Sequence, residues 1–390
     1  MSDTVISLAN PIMKEIGPTA PRAAQKARKL DLPEGSIIVS ADGHWEVTED
    51  IFYDRFPSGM KDKAPRVWFD EYWRLGYRGK SEAEIVGERM KRTLKRGFTD
   101  GIRDMGVRRR DVSAEGIQKE VVFPQSLLHF IRLSDFDVQE QIYRVYNEYI
   151  AELSKASSAK FYGVGVFSNW WDSTKAERAM QQIVDLGLKT FMVPVNPGKT
   201  LDGKTISYGS ETTDRFWEVV AEAGLPLNFH VGENIETEGR GALGATALTS
   251  FGPFRKSLGQ LIFGGVFDRH PEVRVVFSEG GISWVAPALQ DAEMIFDTYG
   301  NGDLLDPIEH RPTHYWHQNC YATFQDDLLG LKQLEYIGAD RVMWASDYPH
   351  PEGSFGFASD SMQSVIDNVG STKARQILGG TAIDVYKLDG

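Results

Sequence analysis

Short apolar runs, rich in β-branched and aromatic residues, alternate along the chain with longer stretches of helical periodicity. The runs are 37–41, 120–123, 162–167, 190–195, 227–231, 274–278, 321–324 and 342–346. Their length and composition predict eight strands. Between them, the spacing predicts helices over 138–153, 175–186, 213–222, 283–296 and 327–337. Several runs are apolar on both faces, as expected of strands covered by crossover helices. Strand–helix alternation repeated eight times predicts an α/β fold, a closed (β/α)8 TIM barrel of parallel strands. No fixed-period repeat is visible, which excludes a solenoid.

Two insertions interrupt the alternation. Residues 45–118, between the first two strands, are rich in Trp, Tyr, Arg and Lys, and residues 232–252 are rich in Gly and Thr. Both follow strands, on the barrel face where long βα-loops shape a pocket, so both are lid candidates. Residues 1–34 read as an N-terminal arm rather than a domain, with 35–390 as the barrel. The arm is either a loose tail or a strap for a neighbouring subunit, and the second reading is preferred.

Composition narrows the partners. The 390-residue chain is 41% hydrophobic and 25% charged, with a net charge of −12. That charge argues against nucleic acid or an anionic membrane. The one cysteine, Cys320, cannot form an intramolecular disulfide, and no run approaches a membrane span. A cytoplasmic location is expected.

Chemistry gathers at the strand ends. Asp42-Gly-His44 closes the first run, His230 the fifth and Asp347 follows the eighth. Period-two alternation turns Asp42 and His44 to one face, and a parallel barrel brings all strand C-termini to one end. Two imidazoles and two carboxylates form a nitrogen–oxygen donor set suited to Zn2+, with Mn2+ or Fe2+ possible. The plainer reading of each residue alone is a helix cap or a buried ion pair.

The segments Ser40-Ala-Asp42-Gly-His44, Asn228-Phe-His230, Phe277-Ser-Glu-Gly-Gly281 and Trp344-Ala-Ser-Asp347-Tyr-Pro-His350-Pro resemble, in residues and order, the amidohydrolase superfamily. More closely, they resemble the amidohydrolase 2 group, which includes aminocarboxymuconate-semialdehyde and γ-resorcylate decarboxylases. The resemblance implies a (β/α)8 barrel with one divalent metal held by Asp42, His44, His230 and Asp347. It implies no carbamylated lysine, because the fourth strand ends in Val193-Pro-Val-Asn196. Family enzymes suggest dimers or higher homo-oligomers and a small-molecule substrate. One departure stands out: decarboxylases of the group resemble one another in a strand-six histidine, where this chain carries Glu279.

A carboxylate beside a cation suits a base, so Glu279, with Asp347 and His230 as further catalytic candidates, points to hydrolysis of a C–N or C–O bond in a small cyclic or aromatic compound by metal-activated water. Non-oxidative decarboxylation of an aromatic or muconate-like acid is the alternative, and a non-catalytic metal- or ligand-binding protein the second. Substrate-binding candidates are His129, Trp45, Trp170, Trp284 and His350, the tryptophans as an aromatic wall or as packing. His350 either contacts substrate, orients Asp347, or sits in a turn fixed by Pro349 and Pro351. His270, His310, His314 and His317 read as structural.

Overall fold

The computed structural model of the chain describes residues 22–70, 72–77, 99–127, 130, 133–168, 170–200, 202–233, 239–250, 254–300 and 304–389. The first stave of the barrel is β1 (Val39–Ser40) continued, past Gly43, by β2 (His44–Trp45). A separate antiparallel hairpin follows, β3 (Arg66–Asp70) with β4 (Tyr72–Gly76). The second stave is β5 (Lys119–Pro124), buried along its length, and the third is β6 (Phe161–Gly163) running on into β7 (Gly165–Val166). Then come β8 (Phe191–Val193), β9 (Leu227–His230), β10 (Val275–Ser278), β11 (Cys320–Phe324) and β12 (Val342–Trp344).

All stave pairings are parallel. The third stave joins the two halves: Val164 N–H donates to Val122 at 2.9 Å and Gly165 N–H to Thr190 at 3.1 Å. Closure comes where Ala41 N–H reaches the Trp344 carbonyl at 3.1 Å and Gly43 bridges to Tyr348. The fold is a TIM barrel, as the alternation predicts.

Local chemistry sets the helix ends. Asp135 and Asp172 cap the helices Phe136–Ala156 and Ser173–Leu186 by accepting from first-turn N–H groups, and Gly187, at φ 73°, ends the second. The predicted 327–337 helix is instead two four-residue turns, Leu328–Leu331 and Leu334–Ile337. The Asp327 carboxylate accepts from Gly330 N–H at 2.9 Å and from Ile282 and Ser283 N–H at 2.8 and 2.7 Å. That pins the turn to the loop after β10, and a Cβ at Gly330 would strike Ile282 at 2.3 Å. The long first insertion carries the helix Met105–Ala114 besides the hairpin, and the glycine-rich one carries the helix Ala242–Ser250.

Of the expected arm, the described part from residue 22 lies on its own chain. Arg22 donates to the carbonyls of Gly353 at 2.6 Å, Phe355 at 3.1 Å and Pro351, and Ala27 N–H donates to Ala114. Among the described residues, no helix is long and apolar enough to cross a membrane.

Candidate metal centre

The seam between the first and eighth staves is built first. Ser40 Oγ donates to the Asp42 carbonyl at 2.6 Å, meets Ser346 Oγ at 2.9 Å and accepts from Ser346 N–H at 2.8 Å. Asp347 N–H then donates to the Asp42 carbonyl at 3.1 Å, and His44 N–H to that of Tyr348 at 2.7 Å. Asp42, His44 and Asp347 are thereby delivered side by side, each 2% exposed or less. His230 enters from the end of β9, its Nδ1 2.8 Å from the Val231 carbonyl, which aims Nε2 inward. Glu279 follows β10, its N–H held by Thr323 Oγ1 at 2.8 Å. Glu279 and Asp347 both adopt the left-handed backbone region, at φ 68° and 54°. That region costs a residue with a Cβ about 1–3 kcal/mol, a strain concentrated at functional sites.

The side chains converge. His44 Nδ1 is 3.0 Å from Asp347 Oδ1, and His230 Nε2 is 3.5 Å from Asp42 Oδ2 and 3.2 Å from Glu279 Oε2. His350 belongs to the same cluster. Its Nδ1 lies 3.2 Å from Asp347 Oδ1 and 3.4 Å from Glu279 Oε1, and its ring stacks on His44 at 3.9 Å. Nε2 of His350 meets Gln125 Oε1, just past the end of β5, at 2.8 Å. Ligand atoms of His44, Glu279, Asp347 and His350 lie within 4.8 Å of one another, as do those of Asp42, His44 and His230.

Three carboxylates and three imidazoles crowded at the barrel mouth perturb one another. Burial pushes the Asp42 carboxyl up to about 6, against the pull of His230. Burial, reinforced by the charge of Asp347, raises Glu279 to about 7. His44 is held well below the usual imidazole range by burial and by His350. Burial opposes the charged form of His230, yet Asp42 and Glu279 carry it up to about 9. Burial likewise opposes the charged form of Asp347, which His350 and His44 nevertheless keep far below the usual carboxylate range.

The donor set fits a divalent cation. Both oxygens of Asp42 and of Asp347, Nδ1 of His44 and Nε2 of His230 are buried without a hydrogen-bond partner. Unpaired buried acceptors are costly, and a cation at their meeting point would satisfy all of them together. Asp42, His44, His230 and Asp347 would hold the ion, with Glu279 and His350 against them.

The aromatic candidates fall elsewhere. Trp45, one residue past inward-facing His44, faces outward to Phe161 at 5.7 Å and donates to Tyr149 Oη at 3.2 Å. Trp170 is buried, stacked on Tyr208 at 4.6 Å and packed on Phe216. Trp284 packs among Phe254, Phe277 and Trp316 and donates to the Gly281 carbonyl. None of the three makes a ring contact with the cluster among the described residues; Phe123 does, 4.4 Å from His230. His129 lies outside the described residues. His270 sits 3.7 Å from Asp214, remote from the cluster, and His310 pairs with His314.

A family model for amidohydrolases matches residues 85–388, most of the chain. The chain belongs to the amidohydrolase family. Among its relatives, the 2-amino-3-carboxymuconate-6-semialdehyde decarboxylase of Dictyostelium discoideum is 26% identical over 259 residues. That match covers 62% of this chain and 66% of the relative, just under two thirds of its length. Solved structures of similar fold include a dihydroxybenzoic acid decarboxylase from Polaromonas sp. JS666 with manganese and 2-nitroresorcinol (TM-score 0.67, 16% identity, 90% of this chain and 97% of that one). Another is the 5-carboxyvanillate decarboxylase of Novosphingobium aromaticivorans with manganese and 4-hydroxy-3-methoxy-5-nitrobenzoic acid (TM-score 0.65, 18% identity, 94% and 99%). These matches correct the leading expectation. The named relatives are decarboxylases, so hydrolysis of a C–N or C–O bond by metal-activated water no longer stands. The reading of Glu279 as a base acting on that water falls with it.

Proposed function

We propose that this amidohydrolase-family protein is a divalent-metal-dependent, non-oxidative decarboxylase of a small aromatic or muconate-like acid. The observation that carries the reading is the buried cluster of Asp42, His44, His230 and Asp347, with its orphaned donor atoms, in a chain whose curated relative is a decarboxylase. Such a reaction breaks the bond between the carboxyl carbon and the ring or chain carbon. The electron pair stays on that carbon, CO2 departs, and one proton takes its place. A divalent ion held by Asp42, His44, His230 and Asp347 would supply Lewis acidity to the acid being cleaved.

The chain supplies the proton handling. Glu279 stands 3.2 Å from His230 and 3.4 Å from His350. Burial raises its carboxyl above the ordinary glutamate value, the direction that favours a proton-bearing group. It thus takes the place of the strand-six imidazole that this sequence lacks. His350, stacked on His44 and anchored by Gln125, orients Asp347. The two carboxylates and two imidazoles suit Mn2+ as well as Zn2+, and manganese in two neighbours of the same fold favours the former.

Product analysis tests the reading. Metal-loaded protein is incubated with a panel of hydroxybenzoates, carboxyvanillate and aminocarboxymuconate analogues, and CO2 is trapped. One CO2 per acid consumed, with a hydrogen at the vacated carbon, is expected. Release of an amine or alcohol without CO2 would overturn it.

A further inference from the structure

We infer that Arg108 is a positioning residue that clamps the seam between the first and eighth staves and so sets the spacing of the metal ligands on either side of it. This rests on the metal-centre reading above and extends it to a side chain outside the donor set. Arg108 lies on the helix Met105–Ala114 of the first insertion, fully buried. Its Nε and Nη2 donate to the two carboxylate oxygens of Glu120, on β5, at 3.0 and 2.9 Å. Nη1 donates to the main-chain carbonyl of His44 at 2.6 Å. The guanidinium also lies over the ring of Tyr348, 5.0 Å from its centroid.

Those contacts straddle the seam. His44 carries one proposed ligand, and Tyr348 directly follows another, Asp347. The same helix holds Tyr348 a second time, through its hydroxyl, which donates to Asp111 at 2.8 Å and meets Thr99 Oγ1. Gly43 lets the clamp close, since a Cβ there would meet Arg108 Nη2 at 2.8 Å and the Tyr348 carbonyl at 3.3 Å. Asp347 holds a left-handed backbone conformation unusual for its type, and such a conformation persists only where its surroundings over-determine it. A planar fork with five donors is needed to grip a carboxylate, a carbonyl and a ring at once, which lysine cannot do. Were Arg108 only a buried ion pair fastening a helix, its loss would lower stability and leave metal affinity alone.

The test separates those outcomes. Mn2+ affinity is measured by chelator competition on wild type and Arg108→Lys, with metal-free thermal unfolding in parallel. Asn319→Ala, which loses two buried bonds to the carbonyls of Pro271 and Val273 far from the seam, serves as the stability control. The expected result is a Kd for Mn2+ raised about tenfold or more in Arg108→Lys, the size of effect seen when ligand-orienting partners are lost, and unchanged in Asn319→Ala despite its lower melting temperature. Should Arg108→Lys not fold, Glu120→Gln decides: it weakens the two-pronged grip on Arg108 and touches no proposed ligand, and a rise of about tenfold is expected. A Kd within about twofold of wild type in the folded variant overturns the clamp while leaving the metal centre intact. Wild-type protein that binds no Mn2+ or Zn2+ overturns both.

Discussion

His230 is the residue on which the cluster turns. It reaches Asp42 and Glu279 together, and its outer nitrogen is fixed by the Val231 carbonyl. His230→Ala removes a donor and leaves both carboxylates facing a gap. Bound metal should fall below about a tenth of an equivalent per chain after desalting, and CO2 release should vanish. Normal metal content in a folded variant, read by elemental analysis, would remove His230 from the site. Glu279→Gln asks a different question, because the amide keeps the shape and loses the proton. Metal should be retained while kcat drops by about 10²–10⁴; unchanged kcat would make Glu279 a structural residue. The convergence of Asp42, His44, His230 and Asp347 was legible in the sequence because each stands at the end of a strand-like run, and barrel geometry gathers strand ends. Gln125 and Arg108 were not. A glutamine just beyond a strand and an arginine inside an insertion carry no periodic or spacing signal, and their roles depend on contacts with residues more than 200 and 60 positions away. The outward turn of Trp45 was readable in principle from the alternation that turns His44 inward.

At the scale of elements, the staves beneath the cluster are tied by polar groups as well as by apolar packing. Asn228, two residues before His230 on β9, donates to Thr190 Oγ1 at 2.5 Å and to the Phe191 carbonyl at 3.0 Å. Its oxygen accepts from Ser278 at 3.2 Å and from the Tyr386 hydroxyl at 2.9 Å. Four elements therefore meet at one amide. Asn228→Ala leaves several buried groups unsatisfied and should destabilise the fold by about 3 kcal/mol in chemical denaturation; a loss below about 1 kcal/mol would show that water replaces the amide. A second element-level test concerns the N-terminal segment. Glu115, buried beneath it, accepts from Gln25 N–H at 3.2 Å and Gly356 N–H at 2.8 Å, and burial raises its carboxyl from 4.5 to about 7. A carboxyl raised by folding favours the native state below its unfolded value. That advantage is lost as pH rises from about 4.5 through 7. Glu115→Gln keeps the acceptor and removes the titration. The stability of the variant relative to wild type should therefore climb across that window by up to about 3 kcal/mol, and a flat difference would refute the assignment. Strand positions were well forecast by apolar runs, whereas the 327–337 helix was not. Its periodic pattern is genuine, but the Asp327 oxygen that does not cap the turn holds the loop after β10, and a tertiary tie of that kind leaves no trace in local periodicity.

Across the whole molecule, the closed barrel explains how so acidic a chain gathers three of its carboxylates, buried, at one barrel mouth. The staves deliver their C-terminal residues to one point, and a divalent ion would offset the charge placed there. The family and the barrel were legible from strand count and motif order. The reaction was not, because hydrolysis and decarboxylation can use the same donor set, and it was the similarity to decarboxylases that turned the reading. The decisive experiment is titration of metal-free protein with Mn2+ while CO2 release from the best substrate of the panel is followed. The rate should rise linearly from zero and break at about one equivalent of metal per chain, as a single Lewis-acid centre requires. CO2 release by metal-free protein, or a break at about two equivalents, would contradict it.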